Sequence, residues 1–337
     1  MYYKRSGPQF IMMVVHVDDF AVASTHQAMT DDLFATLRLR YTITSSETLE
    51  TFLGIHIVYA SDGTVIFTQP RRIEELVAKY DLANTRCPQV PMCSSFNDHN
   101  QDDSSLCDQH EYMSLLGSLI FIIKTRPDIA YAVNRLATRT QHATIKDFNC
   151  LLRVVSYLAG TKDLGIRFKS KLDAAAATRL YCYVDASYAG HPDSKSHTGY
   201  CFSLGDAFGG MFYSRSFKQT NVTLSSTESE NAAAVEATKE VMWFRQLLSD
   251  LGFPQLEPTI MFVDNASMIT LATDYSGNHK RVKHYLTRVN FMIEQVTLGS
   301  ISLHHVPTEL NIADILTKPL GPIDFLRLRP RLLGYTD

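Results

Sequence analysis

LYCYVD (Leu180–Asp185) is an alternating run of strand-forming residues that ends on a carboxylate, and TIMFVD (Thr259–Asp264) repeats the arrangement. Between them SSTESENAAA (Ser225–Ala234) opens a long helical pattern with Glu228 near its start. NIADILTK (Asn311–Lys318) places Asp314 in the opening turn of a further helix. Two strand ends and two helix starts can gather four acidic side chains at one edge of a sheet. Such a group repels itself unless divalent cations sit within it, and all-oxygen ligation suits Mg²⁺ or Mn²⁺. Two ions about 3.5–4 Å apart can hold a scissile phosphate and activate the attacking water.

Each carboxylate also has a structural reading. Ser225-x-x-Glu228 and Thr227-x-x-Glu230 both fit a capping box. Asp264 suits the cap of the helix in NASMITLA, and Asp314 complements a helix dipole behind an N-cap at Asn311. Only Asp185 has no evident capping role. The order Asp, Glu, Asp, Asp, taken jointly, favours chemistry over four separate caps.

Four blocks carry that order: YVDASYAGHPDSKSHTGYCF (Tyr183–Phe202), YSRSFKQTNVTLSSTESE (Tyr213–Glu230), VDNASMITLA (Val263–Ala272) and HVPTELNIADILTKPL (His305–Leu320). Together they closely resemble the ribonuclease H domain of copia-type retrotransposon Pol polyproteins. The resemblance implies that Asp185, Glu228, Asp264 and Asp314 are catalytic metal ligands for two Mg²⁺ or Mn²⁺ ions, and that the RNA strand of an RNA/DNA hybrid is hydrolysed. Helical spacing of Ala237, Val241, Phe244, Leu248 and Leu251 puts Glu230 on the buried face, so period alone does not choose between the two glutamates. The family pattern places the ligand at the first, Glu228. His304 and His305 precede Val306-Pro307, with Glu309 after the turn, and read as surface strand histidines rather than proton shuttles.

FIMMVVHVDDFAVAS (Phe10–Ser24) reads as an apolar strand, a tight acidic turn and a second strand. It resembles the reverse transcriptase palm hairpin, with Asp18 and Asp19 as the metal-binding pair of a vestigial polymerase and His16 where the family has tyrosine. On two aspartates alone an ordinary acidic turn is the simpler reading. The segments Phe52–Leu82, Tyr112–Ala137 and Val154–Phe168 extend the similarity through a thumb and connection region, so that it covers nearly the whole chain. A palm site needs a further aspartate and a fingers region, and only seventeen residues precede Asp18. The expectation is therefore that nucleotide addition is lost.

The fold expected is α/β: a ribonuclease H-like three-layer mixed sheet with helices, preceded by an α+β palm and thumb remnant. The expected divisions are a truncated palm at 1–59, a thumb/connection-like region at 60–169, a linker at 170–178, the ribonuclease H-like domain at 179–325 and a basic tail at 326–337. The 337 residues are 45% hydrophobic and 20% charged, which suits globular units of ordinary composition. Six cysteines show no paired CxxC spacing, so neither a zinc site nor a disulfide framework is indicated.

No apolar run reaches the roughly 20 residues of a membrane span, and no signal peptide is evident, so a cytoplasmic or nuclear location without membrane association is expected. A net charge of −3 leaves any grip on nucleic acid to local patches. One such patch is HKRVKHYLTR (His279–Arg288), where Lys280, His284 and Arg288 recur along one helical face; a solvated basic face is its plainer reading. Expected partners are an RNA/DNA hybrid and other Pol or Gag-derived proteins. Two alternatives are a catalytically inactive nucleic-acid-binding or structural relic, and an integrase-like transesterase. The second uses three carboxylates in the order Asp, Asp, Glu, which the observed order opposes.

Overall fold

The computed structural model describes residues 1–46, 48–92, 96, 105–169, 174–273 and 286–336. The chain divides into two compact units, Met1–Val58 and Tyr59–Asp337. In the first, β1 (Tyr2–Ser6), β2 (Gln9–His16) and β3 (Asp19–Ser24) form an antiparallel meander, followed by α1 (Gln27–Arg38) and the short pair β4 (Thr51–Phe52) and β5 (Ile55–Tyr59). Its core is thin: among its apolar side chains only Ile11 and Ile57 are buried, and α1 buries none. Val17, on the β2–β3 turn, has φ 52°, a left-handed conformation that strains a β-branched residue.

The larger unit opens with β6 (Val65–Thr68) and α2 (Pro70–Lys79), then α3 (Gln109–Ile122), α4 (Ala130–Ala137) and α5 (Ile145–Ala159). These helices start where the sequence supplies caps. Asp108 accepts the His110 and Glu111 N–H groups, and Thr144 forms a reciprocal capping box with Asp147. β7 (Ile166–Phe168) returns antiparallel to β6. The short α6 (Ala174–Ala177) follows.

The second half folds around β8 (Leu180–Ser187), β9 (His197–Leu204), β10 (Tyr213–Lys218), β11 (Thr259–Val263) and β12 (Ile301–His305). Their order in the sheet is β10-β9-β8-β11-β12, with β8, β9 and β10 antiparallel and β8, β11 and β12 parallel. Alternation along β8 assigns its side chains to two cores. Leu180, Cys182, Val184 and Ala186 pack with α7 (Ser226–Asp250), α8 (Ala266–Thr273) and α9 (Leu286–Thr297). Tyr183 joins the opposite core, built from α3, α4, α5, the 3-10 turn Ile312–Leu316 and α10 (Pro322–Leu333). The result is three layers with helices on both faces of a mixed sheet.

Two expected boundaries are redrawn. The expected thumb/connection-like region at 60–169 and the five-stranded sheet fall in one compact unit, Tyr59–Asp337, because α3–α5 cover one face of that sheet. The basic tail expected from residue 326 is part of α10, where Phe325, Leu328, Leu332 and Leu333 are buried. Arg327 pairs with Asp324 there, and Arg329 donates to the Tyr157 hydroxyl, so neither arginine is a free tail charge.

Candidate metal centre

Asp185 lies near the end of β8, Asp264 directly after β11, and Asp314 inside the turn Ile312–Leu316. One carboxylate oxygen from each can be chosen so that all three lie within 4.8 Å of one another. This is the one such group of three potential ligands among the described residues. The parallel register of β8 and β11 brings the first two to the same sheet edge. The third arrives because Asn311 caps its own turn through Ala313 N–H and donates its amide to the Val184 carbonyl, pinning the turn to β8.

Gly199, paired with Asp185 across β8 and β9, is needed for that approach: a Cβ there would stand 2.6 Å from Thr317 Cγ2 and 2.7 Å from Leu316 Cβ. Beneath the turn runs a buried polar chain that the sequence did not suggest. Arg135 on α4 bonds His191, whose Nε2 lies 2.9 Å from His197 Nδ1, and His197 Nε2 lies 2.8 Å from Ser216 Oγ. Ser216 in turn donates to the Leu316 carbonyl at 2.7 Å. Burial, with the Arg135 charge adding to it, holds the pKa of His191 down at about 3. Burial and the neighbouring His191 do the same to His197, also to about 3, so both rings are neutral supports at physiological pH.

The carboxylates are held against their own repulsion. Burial raises the pKa of Asp264, and the Asp185 charge adds to it, partly offset by a bond from the Thr308 hydroxyl. Burial and Asp185 together push Asp314 up. Thr317 donates its hydroxyl to Asp185. Lys318 places its ammonium 2.9 Å from Asp314 Oδ2 and 3.9 Å from Asp185 Oδ2. Burial opposes that charge, but the two carboxylates outweigh it and raise the lysine pKa.

The structure does not bring Glu228 into this group. Its Oε2 accepts the Leu224 N–H at 2.7 Å, and its own N–H donates to Ser225 Oγ, so the residue closes the start of α7. Glu230, two residues on and so about 200° around the helix, faces the aspartates instead. Burial pushes its carboxyl up to about 7; a bond with Asn265 pulls it back, and Asp264 and Asp185 add repulsion. The expected fourth member, Glu228, therefore lies outside the group, and Glu230 is the glutamate of α7 that feels the Asp264 and Asp185 charges. The signal was present in the sequence, since helical spacing placed Glu230 on the buried face.

The remaining expected residues lie elsewhere. Asp18 and Asp19 are exposed at the β2–β3 turn in the first unit. His304 and His305 are exposed at the end of β12, as read from the sequence. Lys280 and His284 lie outside the described residues, and of Arg288 only its helical backbone in α9 is described.

The donor set fits divalent cations. Every potential ligand is a carboxylate oxygen, and Glu230 Oε2 and Asp314 Oδ1 are buried without a hydrogen-bond partner. A buried acceptor left unpaired is costly, and a cation between the groups would relieve it. Asp185, Glu230, Asp264 and Asp314 would hold such ions.

The strand order and the acidic edge define a ribonuclease H-like α/β fold. No family model matches the chain. The retrovirus-related Pol polyprotein from transposon RE2 of Arabidopsis thaliana is 32% identical over 326 residues, covering 96% of this chain and 22% of that protein. The corresponding polyprotein from transposon TNT 1-94 of Nicotiana tabacum is 28% identical over 348 residues, covering 99% of this chain and 25% of that protein. The chain belongs to the Pol polyproteins of copia-type retrotransposons, and it spans about a quarter or less of the length of these curated relatives.

Among solved structures, a foamy viral protease-reverse transcriptase in complex with RNA/DNA hybrid is 16% identical, with a TM-score of 0.49 over 88% of this chain and 36% of that one. LC11 ribonuclease H1, isolated from compost, is 18% identical, with a TM-score of 0.33 over 42% of this chain and 93% of that one. No described helix is long and apolar enough to cross a membrane.

Proposed function

We propose that this chain hydrolyses the RNA strand of RNA/DNA hybrids in a metal-dependent reaction at Asp185, Glu230, Asp264 and Asp314. The observation that carries the reading is the convergence of Asp185, Asp264 and Asp314 from three separate elements, with Glu230 of α7 near enough to feel the Asp264 and Asp185 charges and with Glu230 Oε2 and Asp314 Oδ1 buried and unpaired. Membership of the Pol family supports the nuclease class, and the substrate is the finer step.

Bound ions supply charge to the scissile phosphate and lower the pKa of the attacking water. The protein's own contribution is to fix the carboxylates. Thr317 and Thr308 orient Asp185 and Asp264 through hydroxyl bonds, and the His197–Ser216 chain seats the turn that carries Asp314. Lys318 neutralises part of the group, and where cations took over that charge its ammonium would be free to meet the phosphate backbone of the substrate. Recognition rests on hybrid shape and 2′-hydroxyls rather than on base sequence.

Nucleotide addition is not part of this proposal. Asp18 and Asp19 belong to no group of three potential ligands among the described residues.

The test is incubation of the purified chain with a hybrid carrying end-labelled RNA, with Mg²⁺ and with EDTA. Cleavage in Mg²⁺ alone, leaving 5′-phosphate and 3′-hydroxyl ends, is expected. Hybrid binding without cleavage in either condition would replace the proposal with the reading of an inactive binding relic.

A further inference from the structure

The buried chain beneath the metal turn begins on a group that can only donate and ends on one that can only accept. A guanidinium carries only donors, so Arg135 donates from Nη1 and His191 Nδ1 accepts. At the far end the Ser216 hydroxyl spends its proton on the Leu316 carbonyl at 2.7 Å, so its oxygen accepts from His197 Nε2 at 2.8 Å. His197 therefore carries a proton on Nε2. Between the rings, His191 Nε2 and His197 Nδ1 lie 2.9 Å apart. A neutral His191 that accepts at Nδ1 has its proton on Nε2, and a neutral His197 that donates at Nε2 has a bare Nδ1. The two requirements match, and every bond runs one way, from Arg135 to Leu316.

A further proton on either ring has no acceptor to meet. On His191 Nδ1 it would face the Arg135 guanidinium, and on His197 Nδ1 it would face the His191 N–H. The neutral state is thus built into the geometry, in line with the burial that holds both pKa values down at about 3. Packing fixes the rings as well. They stack with centroids 5.2 Å apart, and Tyr131 of α4 packs edgewise against His197 at 5.0 Å. Arg135 Nη2 also donates to the Gly190 carbonyl at 2.9 Å, which holds the residue before His191.

The chain ends between two supports of the acidic group. Leu316 lies two residues after Asp314 and is joined to Thr317, whose N–H returns to the Asp314 carbonyl at 3.2 Å and whose hydroxyl donates to Asp185. Fixing the peptide between Leu316 and Thr317 therefore fixes how both carboxylates are presented.

We propose that Arg135 is a positioning residue of the cation site: it sets the tautomers of His191 and His197, and through Ser216 it holds the turn that presents Asp314 and Thr317. This role rests on the reading of the acidic group as a cation site. It makes α4 a working part of that centre as well as a cover for the sheet.

The test uses the full chain, with the histidine ring nitrogens followed by nitrogen-15 NMR without metal at neutral pH, and Mn²⁺ affinity measured by calorimetry. In the wild type both rings are expected as single neutral tautomers with the proton on Nε2. Arg135→Met keeps an unbranched side chain without the donors. It should leave His191 exchanging between tautomers and weaken Mn²⁺ binding at least about tenfold. Ser216→Ala should weaken Mn²⁺ binding by a similar factor, and Ser216→Thr, which keeps the hydroxyl, should restore it. That pair decides the matter if Arg135→Met loses its cooperative thermal transition.

A wild-type ring protonated on Nδ1 or on both nitrogens, or folded Arg135→Met and Ser216→Ala variants that bind Mn²⁺ as tightly as the wild type, would overturn the proposal. The predicted tautomers with no Mn²⁺ binding by the wild type would instead overturn the cation-site reading, and the positioning role with it.

Discussion

Asp18 and Asp19 stand exposed on a hairpin turn in a unit with a thin core, whereas Asp185 and Asp314 are each 5% exposed and meet Asp264 where two strands and a 3-10 turn converge. Both regions present adjacent acidic groups, and the sequence offers both as metal sites. What separates them is burial and the number of elements that converge. A solvated pair of carboxylates can stay ionised with little structural consequence. Buried carboxylates held together by packing and hydroxyl bonds store repulsion that a cation relieves. The comparison teaches that an acidic motif becomes a site when the fold forces its charges out of water.

The sharpest way to break this contrast is at Asp185. Asp185→Asn should reduce hybrid cleavage at least about a thousandfold, equivalent to about 4 kcal/mol of barrier, with circular dichroism unchanged. Cleavage at the wild-type rate would remove the group from the chemistry. The next effect compares the two glutamates of α7. Glu230→Gln should lower cleavage about a hundredfold, equivalent to about 2.7 kcal/mol, by removing a charge that faces Asp264 and Asp185. Glu228→Gln should leave the rate within about threefold and cost at most about 1 kcal/mol of stability through the helix cap. Loss of activity in Glu228→Gln alone would restore the original choice.

The third effect is on stability. Glu230 titrates at about 7 in the folded chain against 4.5 unperturbed, and Asp264 and Asp314 are also raised. A raised folded-state pKa means that the native state binds protons more tightly, so this stability is present below the unfolded value and lost as pH rises through the folded one. His191 and His197, held down at about 3, contribute the opposite slope below about 6.5, so the carboxylate effect is read against Glu230→Gln: in EDTA the wild-type thermal midpoint should fall relative to that of the variant between pH 4.5 and about 7, and Mg²⁺ should reverse the difference near pH 8. A wild-type midpoint that rises relative to the variant's across that window would contradict the electrostatic account. The smallest effect is expected at the hairpin: Asp18→Asn should change stability by less than about 0.5 kcal/mol and leave cleavage untouched. Primer extension above a no-enzyme control, lost in Asp18→Asn, would erase the contrast between the regions.

The sequence made the sheet and three of its carboxylates legible because their signals are local. LYCYVD and TIMFVD show their strand period and end on their aspartates, and Asp314 follows a capping asparagine. Choosing between Glu228 and Glu230 needed knowledge of which acid the cap consumes, and that appears only when the Leu224 N–H is found on Glu228. The union of α3–α5 with the sheet, and the chain from Arg135 through His191 and His197 to Ser216, depend on contacts between segments far apart in sequence. No short window holds that information. The basic run of α10 looked like a tail because its arginines are conspicuous, while Phe325, Leu328 and Leu332 bury the other face.

The central claim is that Asp185, Glu230, Asp264 and Asp314 form one divalent-cation site. Anomalous diffraction from crystals soaked in Mn²⁺ tests it most directly. The account predicts anomalous density bounded by those four carboxylates, with Lys318 withdrawn from Asp314 and no ion on Glu228. Density at Glu228 with none between the aspartates, or no ordered Mn²⁺ at saturating concentration, would contradict it.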